Sequence, residues 1–164
     1  MHETDPKSAA APHAHPPTAM NCGLSAADLA GLTPAEIRQW VSALVADGRE
    51  LLAQSLGDAA LVRHPDEPDV LACGALLAQA RQDWLAADEL LRQWVSIQRD
   101  ATPAHAWLQW VHVLRCLCEP VDALDVAIEG SRRNPDDAEL AAERLRLETW
   151  LGQRIPMQAP PNEH

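Results

Sequence analysis

Tyrosine and phenylalanine are both absent from the 164 residues, and lysine occurs once. Strands draw on aromatic and β-branched side chains, whereas this chain is rich in Ala, Leu, Arg and Glu, so an all-α domain is expected. No apolar run approaches the ~18 residues that a transmembrane helix requires. Basic residues are scarce: 13 Lys+Arg stand against 24 Asp+Glu, a formal net charge of −11. That excludes a non-specific nucleic-acid binder, which must neutralise phosphates, and an anionic membrane surface would repel the chain. Residues 1–20 hold one Lys, three His and no apolar core. No secretory signal peptide is read there, and a cytoplasmic location is expected. Cysteines number four, Cys22, Cys73, Cys116 and Cys118, and without a signal peptide they read as buried small hydrophobes rather than a disulfide framework. Cys116 and Cys118, two apart on an expected helix, would face about 200° apart. No Gly-rich phosphate loop, HExxH or GxSxG occurs, so neither an enzyme nor a cofactor is expected.

Hydrophobic residues make up 47% of the chain, enough for one domain with its own core. Residues 1–23, with four prolines among Ala, Ser and His, show no periodicity and read as a disordered tail. Residues 153–164, with Pro156, Pro160 and Pro161, read as a second loose end, which leaves 24–152 as the domain. Prolines mark helix starts within it. Thr33-Pro34-Ala35-Glu36 is a capping box with Pro at the first helical position. Thr102-Pro103 and Asn134-Pro135 read as caps of the same kind, and Glu67-Pro68 as a further start. The spacings Pro34–Pro68, Pro68–Pro103 and Pro103–Pro135 are 34, 35 and 32 residues.

Small residues recur at matching places. Ala53, Ala87 and Ala123 fall at position 20 of successive units, where one helix would cross its partner and a larger side chain would push the two apart. Gly48 closes the first helix at position 15, a left-handed cap site. Position 27 holds Ala60 in the first unit and Gly130 in the third, but Trp94 in the second. A last helix over 136–151, ending at Gly152, would cover the open apolar face of the third unit. With these spacings the chain resembles the tetratricopeptide family, whose period is about 34 residues. The resemblance implies three helical hairpins in a right-handed superhelix plus a C-terminal capping helix. It also implies a concave groove lined by the first helix of each hairpin. By that resemblance the groove residues are Arg38, Ser42 and Val45, then Ala72, Leu76 and Gln79, then His105, Leu108, His112 and Arg115. Such a mixed surface suits an extended peptide with small apolar anchors.

The layout, with a short N-terminal segment, a small helix over 25–30, three repeats and a capping helix, also resembles the class II chaperones of type III secretion. That likeness implies a hydrophobic translocator protein as client, held in the groove before export, and a homodimer through Leu24, Leu29 and Leu32. A general tetratricopeptide adaptor in another bacterial complex is the alternative. Other candidates are weaker. His112 and Cys116, four apart with His105 seven residues earlier, share a helix face as metal ligands would, but two or three ligands on one helix make an incomplete site, and no metal is expected. Trp40, Trp84, Trp94, Trp107 and Trp150 read as packing residues, and Trp110 as a partner contact.

Overall fold

The computed structural model describes residues 31–154. Within them lie seven α-helices and no strand. They are α1 (Pro34–Ala46), α2 (Glu50–Arg63), α3 (Pro68–Ala80), α4 (Trp84–Gln98), α5 (Ala104–Cys116), α6 (Pro120–Arg133) and α7 (Ala138–Arg154), with a 3-10 turn, Arg99–Ala101, after α4. The disordered tail expected over 1–23, the small helix over 25–30, and Leu24 and Leu29 lie outside the described residues. The last helix starts two residues later than its sequence pattern suggests and runs through Gly152 to Arg154.

The repeat is written in the backbone. Gly48, Gln82 and Cys118 each fall fourteen residues after the start of α1, α3 and α5, and each is left-handed, with φ of 71°, 60° and 62°. At all three turns the same bonds recur. The left-handed residue donates its N–H to the carbonyl three back, and the next residue reaches five back: Arg49 to Leu44, Asp83 to Ala78 and Glu119 to Leu114, at 2.8–2.9 Å. This closure satisfies the last carbonyls of each first helix. Only the first turn has glycine, so the other two accept the strain of a side chain in that region. Cys118 is therefore a turn residue rather than a helical one.

Capping follows the sequence at one end and departs from it at others. Thr33 and Glu36 form the complete box: Thr33 N–H donates to Glu36 Oε2 at 2.8 Å, and Glu36 N–H to Thr33 Oγ1 at 3.3 Å. The Thr33 N–H bond, and secondly the Thr33 hydroxyl donating to the same Glu36 Oε2 at 2.7 Å, lower the Glu36 carboxyl pKa. Thr102, expected to cap α5, is buried instead, with its hydroxyl 3.5 Å from the Val95 carbonyl. Pro103 takes the cap position, without a side-chain bond. Asn134 ends α6 rather than starting α7, its amide donating to Gly130 and Thr102 carbonyls. Asp137 opens α7 by accepting from Leu140 N–H at 2.8 Å.

Ala53, Ala87 and Ala123 are wholly buried at the hairpin crossings, as their period implies. Between hairpins, α1 packs on α3 and α5 packs on α7, but α3 and α5 do not approach closely. Position 27 explains the difference. Ala60 and Gly130 occupy it in the first and third hairpins and let neighbouring first helices close up. Trp94, 4% exposed, fills it in the second and lies in one core cluster with Ala75, Ala78 and Ala106 of α3 and α5. Its indole acts as a wedge between those two helices.

Two other tryptophans differ from their sequence reading. Trp150 is 40% exposed and carries the Arg154 guanidinium 4.2 Å above its ring. Trp110 is half-buried, and its indole N–H donates to Asp88 Oδ1 at 2.7 Å, which makes it a strut between α4 and α5 instead of a free contact. Leu32, expected at a dimer contact, packs against the Ile37–Val41–Leu44 cluster of its own chain.

Candidate functional site

The wedge leaves an open cavity of about 750 Å³ on the face formed by α1, α3 and α5. Six of the ten residues expected to line a groove meet here: Arg38, Ser42 and Val45 from α1, Ala72 and Leu76 from α3, and His105 from α5. They share one face because residues three and four apart on a helix stack above one another. Val45 and Leu76 are 47% and 52% exposed, apolar side chains that face solvent at the groove and have no core role. Arg38 reaches across to Asp69 at 3.4 Å and ties α1 to α3.

The other four lie elsewhere. Gln79 folds back onto its own helix, its amide donating to the Ala75 carbonyl at 3.2 Å. Leu108 is half-buried against Val95, Trp107 and Leu140, because the capping helix α7 covers that side of α5. His112 and Arg115 sit one and two turns beyond the cavity. His112 meets the edge of Trp84 with ring centroids 5.9 Å apart and lies 3.7 Å from Cys116 Sγ. His105 instead packs on Trp94, 5.5 Å between centroids, so the three suggested metal ligands are not assembled. Among the described residues no group of three His, Cys, Asp or Glu could hold a metal ion, and no helix is long and apolar enough to cross a membrane.

Several lining residues were not indicated by the sequence pattern. Trp94 and Gln98 enter from the last turns of α4, Pro103 from the linker, and Gln109 from α5. The visible signal was Trp94 at a position that is small in the other two hairpins. Three of these carry hydrogen-bonding atoms that no described residue uses: Trp94 Nε1, a donor, and Gln98 Oε1 and Gln109 Oε1, acceptors. Buried polar atoms of this kind are normally paired, and all three are closed off from solvent.

Cys73 lies in the wall, 5% exposed. Burial, and secondarily the Asp69 charge, push its thiol up to about 11, with Arg38 acting in the opposite direction. The thiolate is the reactive form, so Cys73 should resist alkylation. In a chain with Cys22, Cys116 and Cys118 changed to Ser, maleimide labelling at pH 8 is expected to be roughly 100-fold slower in the native state than in denaturant. Equal rates would place Cys73 on an open surface instead of in the wall.

No protein-family model and no curated protein matches the sequence. Among solved structures, the first TPR of Spaghetti (RPAP3) bound to the HSP90 peptide SRMEEVD is similar in fold. The TM-score is 0.63 at 13% identity, over 73% of this chain and 93% of that one. With the repeated turns, the buried crossing alanines and this likeness, the chain is an all-α array of tetratricopeptide-like helical hairpins.

Proposed function

We propose that the protein is a peptide-binding adaptor that holds an extended, largely apolar segment of a partner protein in the α1–α3–α5 groove. The observation that carries this reading is the groove itself: exposed Val45 and Leu76 flank a floor of Ala72 and Trp94, with unpaired donor and acceptor atoms beside them. Val45 and Leu76 are each already about half covered, so covering the rest of one such aliphatic side chain contributes about 1 kcal/mol. The TPR domain of similar fold is bound to the HSP90 peptide SRMEEVD. Here the one arginine lining the groove is already paired with Asp69, so affinity comes from apolar anchors.

The finer reading, that the client is a segment of a hydrophobic type III translocator and the protein its cytoplasmic chaperone, has the apolar lining in its favour. It predicts that co-expression keeps such a client soluble. Probing an array of randomised 12-residue peptides with the full-length chain tests the coarser reading. Bound sequences should share two or more large aliphatic residues, and Leu76→Glu should erase that preference. Bound sequences that are polar throughout would contradict it.

A further inference from the structure

The three cysteines among the described residues differ in their surroundings. Cys73 is buried, Cys116 is half-buried with its Sγ 3.7 Å from His112 Nε2, and Cys118 is exposed. Cys118 lines a second cavity, of about 600 Å³, where the end of α5 meets α7. Arg115, Arg146 and Arg154 line the same cavity, with Glu143 as its acid. Three guanidiniums against one carboxylate leave it two charges positive in a chain whose net charge is −11. Those charges are held in place. Glu143 is buried and accepts from Arg115 at 2.7 Å and from Arg146. The two arginine side chains remain 54% and 67% exposed, so N–H donors are left over for an anion from solvent. Arg154 stacks on Trp150, a geometry that engages the face of its guanidinium and not the in-plane donors. The left-handed turn after α5 brings the thiol to this cavity: Cys118 N–H donates to the Arg115 carbonyl at 3.1 Å, which ties the cysteine to the arginine-bearing end of the helix.

Exposed cysteines in electropositive surroundings are the ones that exchange with disulfides. A cleft lined by charge of one sign concentrates reactants of the other sign, and this cavity has the volume of a small-molecule site. The acidic chain as a whole disfavours a large polyanion, whereas a small molecule with a few carboxylates matches the local excess. We propose that Cys118 is a site of reversible mixed-disulfide formation with a small anionic disulfide, of the class of glutathione disulfide, whose carboxylates the cavity arginines hold. The Cys118 thiolate attacks one sulfur of the disulfide. A Cys118 S–S bond forms as the original S–S bond breaks, and the other half leaves as a thiolate that takes a proton from water. Cys118 is thereby oxidised and the departing half reduced, and excess small thiol reverses the step. Cys116, two residues earlier, does not line the cavity and provides the internal comparison. The proposal does not depend on the groove reading above.

The test uses two full-length chains. Cys22→Ser/Cys116→Ser keeps Cys118, and Cys22→Ser/Cys118→Ser keeps Cys116; both retain the buried Cys73. Each is incubated with glutathione disulfide, which is anionic, and separately with hydroxyethyl disulfide, which is neutral. Mass spectrometry of proteolytic peptides follows mixed-disulfide formation at each cysteine. The ratio of anionic to neutral rate should be at least about tenfold higher at Cys118 than at Cys116. Adding Arg146→Gln/Arg154→Gln to the Cys118 chain should lower its ratio at least about fivefold while the neutral rate stays within about twofold. High salt should lower the ratio in the same way with the arginines intact. Arg115 still pairs with Glu143 in the double variant, and the neutral rate reports whether the turn is undisturbed. Equal ratios at the two cysteines would overturn the proposal, as would a Cys118 ratio that ignores the double variant. A fall of both rates together also overturns it, because the arginines would then act on the placement of the thiol and not on the charge of its partner.

Discussion

Leu76→Glu is expected to abolish peptide binding and to leave the folded state intact. Leu76 stands on α3 at the middle of the groove, between the α1 and α5 walls, and is 52% exposed. Substitutions at such exposed positions usually change stability by no more than about 0.5 kcal/mol. In a complex the same side chain would be covered. A carboxylate there would be stripped of water beside Val45, Ala72 and Trp94, and the one arginine in the groove is engaged by Asp69. Burial of an unpaired charge costs several kcal/mol, so a loss of at least about 100-fold in affinity is expected, roughly 2.7 kcal/mol. Leu76→Ala should lose less, about 1 kcal/mol, since only the transfer energy of the newly covered half of the side chain disappears. Calorimetric titration beside a thermal melt of each variant separates the two effects. A tolerated glutamate with normal affinity would move the site elsewhere.

Gly130→Val is expected to be the most damaging single change in the third hairpin. A Cβ at Gly130 would lie 2.9 Å from both Cβ and Cγ of Trp107. Those are root atoms, so Trp107 can yield only if the α5 backbone moves, and Trp107 is itself buried. Overpacking of this kind costs about 1–3 kcal/mol or more. With a branched side chain in place, the upper end is expected, a fall in Tm of roughly 10 °C. Gly57→Ala provides the contrast. Its added Cβ would come within 2.4 Å of Leu77 Cδ1, a nominally worse clash. That atom is the end of a rotatable side chain, and alanine recovers about 1 kcal/mol of helix propensity. Gly57→Ala should therefore shift the melt by no more than about 1 kcal/mol, measured by denaturant titration. If Gly57→Ala proved the costlier of the two, the close α5–α6 crossing would not be the rigid one.

The repeat was legible because it is carried by sterics that depend on single residues. The crossing sites at Ala53, Ala87 and Ala123 accept nothing larger, so their period survives in the sequence. Position 15 was legible only at Gly48. Gln82 and Cys118 adopt the same left-handed turn without glycine, and a sequence pattern cannot register a strain that the rest of the turn imposes. Thr102 and Asn134 look like helix caps, but hydrogen bonds to the preceding helices claim them. Which face of α5 opens to the groove was half legible. His105 follows its helical position, while Leu108 is covered by α7, a tertiary contact that no local spacing encodes. The role of Trp94 was visible as an exception to the small-residue site. Its consequence, an opening between α3 and α5 with Gln98 and Gln109 at its edge, depends on the assembled array.

The six tryptophans offer a direct test of where a peptide sits. Each indole N–H gives its own cross-peak in a ¹⁵N–¹H correlation spectrum, and single Trp→Leu variants assign them. Trp94 forms part of the groove wall, whereas Trp84 meets His112 and Trp110 is tied to Asp88. On titration with an array-selected aliphatic peptide, the Trp94 indole peak should move while those of Trp40, Trp84 and Trp110 stay in place. A fixed Trp94 peak beside a moving Trp84 or Trp110 would contradict a peptide site between α1, α3 and α5.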